Sequence, residues 1–331
     1  MSTPLRLRAG APARAAAPAR VAAPARAPAP PLPPPPAPPP PPGRRGALAA
    51  GVALLLAPVL TPLHAAATNV IHPDLAPDQS RYDAADPRLR AAARLLQDAL
   101  SAPDVAAEER LWTRLIDEYG ADDAPWADDL VGRALGNRGN ARARQGRLDA
   151  ALADYDAAAA RCPWAVDPIL NRGVAYEALG RFDLAAEDYR AVLAAAPDDP
   201  AGYNNLANAE IGLGEWAAAE RHLARAVALA PRFSFAAASH AVVLYQMSTD
   251  DAGAERELRT LLRRFPAFDD ARAALAALQW NAGRQGEAEG EWARVDDPRY
   301  GDPVWLKEGR RWPPRLVAGL SALLAVKDVK A

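Results

Sequence analysis

The chain has 331 residues, among them 33 prolines, one cysteine and four histidines, and a formal net charge of −2. A single cysteine excludes an intramolecular disulfide framework, and the scattered histidines leave no zinc-ligand spacing. These averages join two unlike polymers. Residues 1–73 hold 19 of the prolines and seven arginines, with no acid before Asp74, whereas residues 68–331 carry 32 basic groups against 41 acids, a net charge of −9. That sign argues against nucleic acid as a partner, and the length suffices for a large core or a repeat array.

Residues 1–43 are mostly Ala, Pro and Arg, and 28–42 are nearly all proline. Proline lacks the amide donor and fixes φ, so this run is polyproline II or disordered and joins no helix or sheet. Arg-rich, acid-free composition at an N-terminus is the pattern of an organelle transit peptide. A Pro-rich arm for SH3-like or WW-like grooves is the alternative. Residues 44–67 add paired Arg44 and Arg45, an apolar stretch over 46–63 broken by Pro58 and Pro62, and a small-residue A-x-A site at Ala65 and Ala67. The stretch falls short of the ~20 residues of a membrane span and fits the apolar region of a removable export signal. A transit-like segment followed by a twin-arginine signal resembles the two-stage targeting of plastid proteins sent to the thylakoid lumen. A bacterial twin-arginine signal and a retained membrane anchor are the other readings. Residues 68–86 follow as a linker.

Over 87–120, apolar residues at helical spacing predict a helix pair: Leu95, Leu96 and Leu100, then Leu111, Trp112, Leu115 and Ile116. Pro103-Asp104 is a start signal for the second helix. The pair reads as a degenerate terminal repeat, because one side of an array's end meets water.

A 34-residue step then governs residues 125–295. Pro163, Pro197 and Pro231 recur on it, as do Gly146, Gly180 and Gly214, and Gly139, Gly173 and Ala207. Ala151, Ala185 and Ala219 keep the same register, and so do Asn137, Asn171 and Asn205. Each unit has a mechanical sense. A first helix, over 134–145 in the first copy, carries a small residue (Gly139) where a second helix crosses. Gly146 ends it because the turn needs positive φ. Tyr155, Tyr189 and Leu223 fill the space between repeats, and the final proline stops the second helix. These columns resemble the tetratricopeptide repeat, clearly at 132–165, 166–199 and 200–233 and more weakly at 234–268 and 269–297. The resemblance implies an all-α solenoid, a right-handed superhelix of helix-turn-helix repeats, here preceded by a disordered N-terminal targeting region.

Residues 298–331 break the period with turn signals at Asp297-Pro298, Asp302-Pro303 and Arg310-Arg311-Trp312-Pro313-Pro314. Residues 315–327 set Leu316, Leu320, Leu323 and Leu324 on one face, the pattern of a helix capping the open end of the array. A partner-docking or membrane-surface helix is the alternative, with a thin basic face.

Enzyme motifs do not appear: no phosphate-binding glycine loop, no G-x-S-x-G, no H-E-x-x-H and no G-x-G-x-x-G. Cys162, His222 and His240 lack a base or ligand cluster in the sequence around them and read as packing or solvated residues. No catalytic residue, cofactor or metal is expected. The resemblance places binding on a concave groove formed by first helices. Its positions are Arg133, Asn137, Asn140 and Arg144, then Asn171 and Glu177, then Asn204, Asn205 and Asn208, with Tyr245 farther on. An asparagine column offers donors and an acceptor to an extended peptide backbone whatever its sequence. Asparagine is also common there in the repeat family, where it serves helix-to-helix bonds.

Carboxylate-clamp co-chaperones are a poor match, since Gly136 and Ala201 stand where lysine is expected and no lysine occurs between 68 and 306. The two-stage signal, the Asn-Arg-Gly repeats and the tail Asp-Pro-Arg-Tyr…Arg-Arg-Trp-Pro-Pro resemble a plant and algal family of tetratricopeptide proteins of the chloroplast thylakoid lumen. That resemblance implies a non-catalytic interaction scaffold in the lumen, with a protein or peptide partner and membrane contact only through an uncleaved signal. An assembly or maintenance factor for a photosynthetic complex is the narrower reading. A permanent structural subunit and a bacterial exported protein are the alternatives.

Overall fold

Each helix of the array stops where the sequence removes its hydrogen-bond ladder and restarts where a turn residue permits. The computed structural model describes residues 69–330; the expected transit and signal segments, with Arg44, Arg45, Ala65 and Ala67, lie outside the described residues. Among the described residues there are thirteen α-helices and no strand. α1 (Pro87–Leu100) and α2 (Val105–Tyr119) form the N-terminal pair. Five pairs follow: α3 (Ala127–Arg144) with α4 (Leu148–Arg161), α5 (Val166–Ala178) with α6 (Phe182–Ala195), α7 (Pro200–Leu213) with α8 (Trp216–Leu229), α9 (Ser234–Met247) with α10 (Asp251–Arg264), and α11 (Asp269–Asn281) with α12 (Gln285–Trp292). α13 (Pro314–Lys330) closes the chain.

The turns within pairs share one construction. Gly146, Gly180, Gly214 and Gly283 take φ of 74°, 71°, 76° and 76°, the left-handed region that a side chain disfavours. The amide after each closes back on the helix, as when Arg181 N–H donates to the Tyr176 carbonyl at 2.9 Å and Glu215 N–H to that of Glu210 at 2.8 Å. In the fourth repeat Ser248 takes the left-handed position at φ 56°, and Asp250 caps α10 by accepting from the Gly253 amide at 2.7 Å.

Within a pair, the small residue of the first helix admits a large one from the second. A Cβ on Gly139 would stand 2.6 Å from the Tyr155 ring, and one on Gly173 2.7 Å from Tyr189. The third and fourth repeats carry Ala207 and Ala241 in this column with Leu223 and Leu258 opposite, and all four are buried. Volume is conserved across the pair, which keeps the interior packed without strain. The first helices of neighbouring repeats also meet, α3 with α5 and α9 with α11, and together they make one wall of the array.

Three features depart from the sequence expectations. α3 begins at Ala127 rather than near 134, because Leu130, Val131 and Trp126 bury against Trp112 and Leu115 of the N-terminal pair. Residues 69–86, expected as a linker, also dock on the array. Ile71 is buried among Ala159, Ile169 and Val192, the His72 amide donates to the Pro163 carbonyl at 2.8 Å, and Gln79 donates to Asp129 at 3.0 Å. Third, α13 touches α12 through Leu323 and Leu324 but lies chiefly on α11 and reaches α9. Its Leu316 and Leu320 join Trp312, Leu306, Leu275 and Tyr245 in the largest apolar cluster. The tail therefore closes the last repeat and also covers part of the first-helix wall.

Candidate functional site

The first-helix wall holds every position expected to bind, but the structure divides them into groups of different use. On α3 the candidates are engaged within the fold. Arg133 pairs with Asp129 one turn earlier at 3.1 Å, and Asn137 donates to the Arg133 carbonyl at 3.0 Å. Asn140 accepts from the Tyr155 hydroxyl at 2.9 Å, which makes it an anchor for the inter-helix tyrosine. Arg144 pairs with Glu108 of α2 and ties the array to the N-terminal pair.

On α5 and α7 the amides are left over. The side chains of Asn171 and Asn208 are half-buried and bond no described residue. Asn204 is only 8% exposed; its amide nitrogen lies 3.5 Å from the Asn205 Oδ1, and its own Oδ1 is buried without a partner. An orphaned buried acceptor costs about 1–3 kcal/mol.

The remaining two candidates are occupied by the tail. Tyr245 is 2% exposed and does not line an open surface. The guanidinium of Arg315 lies 3.8 Å from its ring centroid, Asn281 donates to its hydroxyl at 2.8 Å, and Arg315 continues to Asp251 at 2.6 Å. Glu177 accepts from the Tyr189 hydroxyl at 2.7 Å and pairs with Arg311. Glu177 stands out in the sequence but its occupant does not: Arg310-Arg311-Trp312 signals only a turn, and no spacing rule links residues 134 positions apart.

Cys162, His222 and His240 are each bonded within the fold. Cys162 is buried, its Sγ donates to the Asp128 carbonyl at 3.1 Å, and burial together with Asp129 and Asp128 pushes the thiol up to about 12. His222 bonds buried Glu210 at 2.7 Å, and His240 bonds Glu257 at 2.9 Å. No grouping of three potential metal ligands occurs among the described residues, and no described helix is long and apolar enough to cross a membrane.

This arrangement is that of a tetratricopeptide-repeat solenoid. The tetratricopeptide-repeat family model matches residues 167–199, the second of the clear copies. Among solved structures, the chain is similar to a tetratricopeptide repeat protein from Parabacteroides merdae, at 18% identity over 71% of this chain and 98% of that one, with a TM-score of 0.56. It is also similar to the Cut9–Hcn1 hetero-tetramer of the APC/C, at 18% identity over 70% of this chain and 42% of that one, with a TM-score of 0.52. Identities this low speak for the fold alone. No curated protein matches the chain.

Proposed function

We propose that the protein is a non-catalytic interaction scaffold that holds an extended segment of a partner protein in a concave groove along its first helices. The amide set on α5 and α7 carries this reading. Asn171 and Asn208 offer half-buried side chains that bond no described residue. A peptide backbone supplies alternating donors and acceptors that such amides satisfy regardless of side chains. Tetratricopeptide repeats serve widely as protein-binding modules, which supports the same class of function.

The address read from residues 1–67 completes the proposal: delivery to the thylakoid lumen, with cleavage after Ala67. Asn69 and Ile71, held in the array just beyond that site, are consistent with it. A role in assembling or maintaining a photosynthetic complex rests on that compartment alone.

Crosslinking in isolated thylakoids, followed by identification of the captured protein, tests the partner class. Asn171→Ala with Asn205→Ala is expected to weaken capture at least about tenfold while leaving the melting temperature nearly unchanged, as half-exposed positions do. Undiminished capture by this variant removes the groove from the proposal. A purified protein beginning near Thr68 supports lumenal processing, whereas a retained Arg44-Arg45 segment favours an anchored form.

A further inference from the structure

The tail does more than cover the wall, for its Arg311 fills a slot built from other elements. Glu177, in the last turn of α5, is 11% exposed in its side chain and is aimed by Tyr189, whose hydroxyl donates to Oε1 at 2.7 Å. Its second oxygen accepts from Arg311. Beside the carboxylate stands Phe182, at the start of α6, with its ring centroid 5.2 Å from the Arg311 guanidinium carbon. The ring is pressed against Gly212 of α7, where a Cβ would come within 2.6 Å of it. A carboxylate bonding a guanidinium whose carbon lies over an aromatic ring suits arginine better than lysine, because the weakly hydrated, delocalised guanidinium gives up less on meeting an apolar ring than a compact ammonium does.

Arg311 itself is only partly settled in the tail. It takes φ 56° without being glycine, a conformation that L-residues avoid, and 28% of its side chain remains exposed. Its neighbours are anchored elsewhere. Arg310 makes a bidentate pair with buried Asp270 at 2.6 Å, and Trp312 is buried in the tail cluster. The Arg311 side chain can therefore leave Glu177 while these anchors hold.

We propose that Glu177, Phe182 and Tyr189 form an arginine-recognition subsite of the groove, that Arg311 is an internal placeholder, and that the partner is an extended segment bearing an exposed arginine. This inference rests on the reading that the first-helix wall binds extended peptides. Asn171, Asn205 and Asn208 on the first helices meet the partner's backbone, and the slot selects one side chain. The chain's own tail thus sets a threshold that a partner must exceed.

The test uses the full chain and a fluorescein-labelled peptide with the sequence of residues 308–314, read by fluorescence anisotropy. Arg311→Ala is expected to bind the peptide about tenfold more tightly than the unaltered chain, the scale of one freed charge-assisted and cation–π contact. Adding Glu177→Gln, which keeps an acceptor for Tyr189, should abolish that gain, and a peptide with lysine for both arginines should show none. Phe182→Leu in the Arg311→Ala background keeps an apolar wall and should lose part of the gain, with helical circular dichroism confirming that each variant is folded. Equal affinity of Arg311→Ala and the unaltered chain, or a gain that survives Glu177→Gln, overturns the subsite. Adding Asn171→Ala and Asn205→Ala separates the two readings. If those changes abolish binding while Arg311 and Glu177 are indifferent, the groove stands and the arginine subsite falls. If neither set matters, both fall.

Discussion

Arg172 of α5 closes on Asp188 of α6 inside the second repeat, with Nε and one terminal nitrogen donating to the two carboxylate oxygens at 2.9 and 2.6 Å. The same guanidinium donates to Asp156 of α4 at 2.7 Å and to Asn69 at 2.6 Å. One buried side chain thus joins two repeats and the N-terminal segment. Breaking a buried pair leaves an uncompensated charge, so Asp188→Ala is expected to cost about 3 kcal/mol of unfolding free energy in urea. A joint replacement of Arg172 by Met and Asp188 by Leu should cost much less. A loss below ~1 kcal/mol for Asp188→Ala would show that Asp156 and Asn69 alone suffice to hold the guanidinium.

Gly139 and Tyr155 predict a coupled pair of substitutions. Gly139→Ala puts a methyl 2.6 Å from a ring that is fully enclosed, with an expected cost of about 1–3 kcal/mol from overpacking. Tyr155→Leu alone should also destabilise, by opening a void and releasing Asn140. The double variant reproduces the Ala207–Leu223 pair of the third repeat, so its cost should fall below the sum of the singles. Strict additivity in the cycle would contradict this packing account.

The N-terminal segment should behave as a docked strap. Ile71→Ala removes an apolar side chain held by Ala159, Ile169 and Val192, with an expected local loss of about 2 kcal/mol. Limited proteolysis should then cut within 73–86 faster than in the unaltered chain, while the repeats stay resistant. Equal cutting rates would mean that the strap is held without Ile71.

His240 makes stability depend on pH. It sits where α8, α9 and α10 meet, bonded to Glu257 at 2.9 Å with Glu220 at 3.6 Å. Burial opposes its charge, but the two carboxylates overcome that and raise its pKa above the ordinary value of about 6.5. A raised folded value means that the native state binds the proton more tightly than the unfolded chain. The contribution is therefore full below about pH 6.5 and is lost as pH climbs through the raised value. Melting temperatures from pH 5 to 9 should show this decline, and His240→Gln should flatten it. An unchanged slope in that variant would assign the dependence to another group.

Much of the architecture is legible along the chain because it depends on local rules. Gly146, Gly180 and Gly214 mark turns since only glycine enters the left-handed region cheaply. The Gly139 and Ala207 column marks close crossings since a helix-turn-helix unit brings residues 16 apart into contact. Ser248 in the glycine position shows the limit of that rule, because a neighbouring cap at Asp250 supports a strained turn that composition does not advertise.

The repeat unit, its helices and its acidic character follow from local sequence pattern and composition. Which asparagines and acids on the first helices are at liberty depends on contacts made across the folded array. Asn140 is consumed by Tyr155, Tyr245 is covered by Arg315, and Glu177 is taken by Arg311, whereas Asn171 and Asn208 stay unbonded. The net charge of −2 divides between basic residues 1–67 and an acidic remainder. Within that remainder, buried and clustered carboxylates such as Asp188, Asp270 and Glu177 each hold an arginine, two of them from the tail. The physical reason is range: helix and turn preferences act over a few residues, while a guanidinium finds its carboxylate through the folded path of the whole chain.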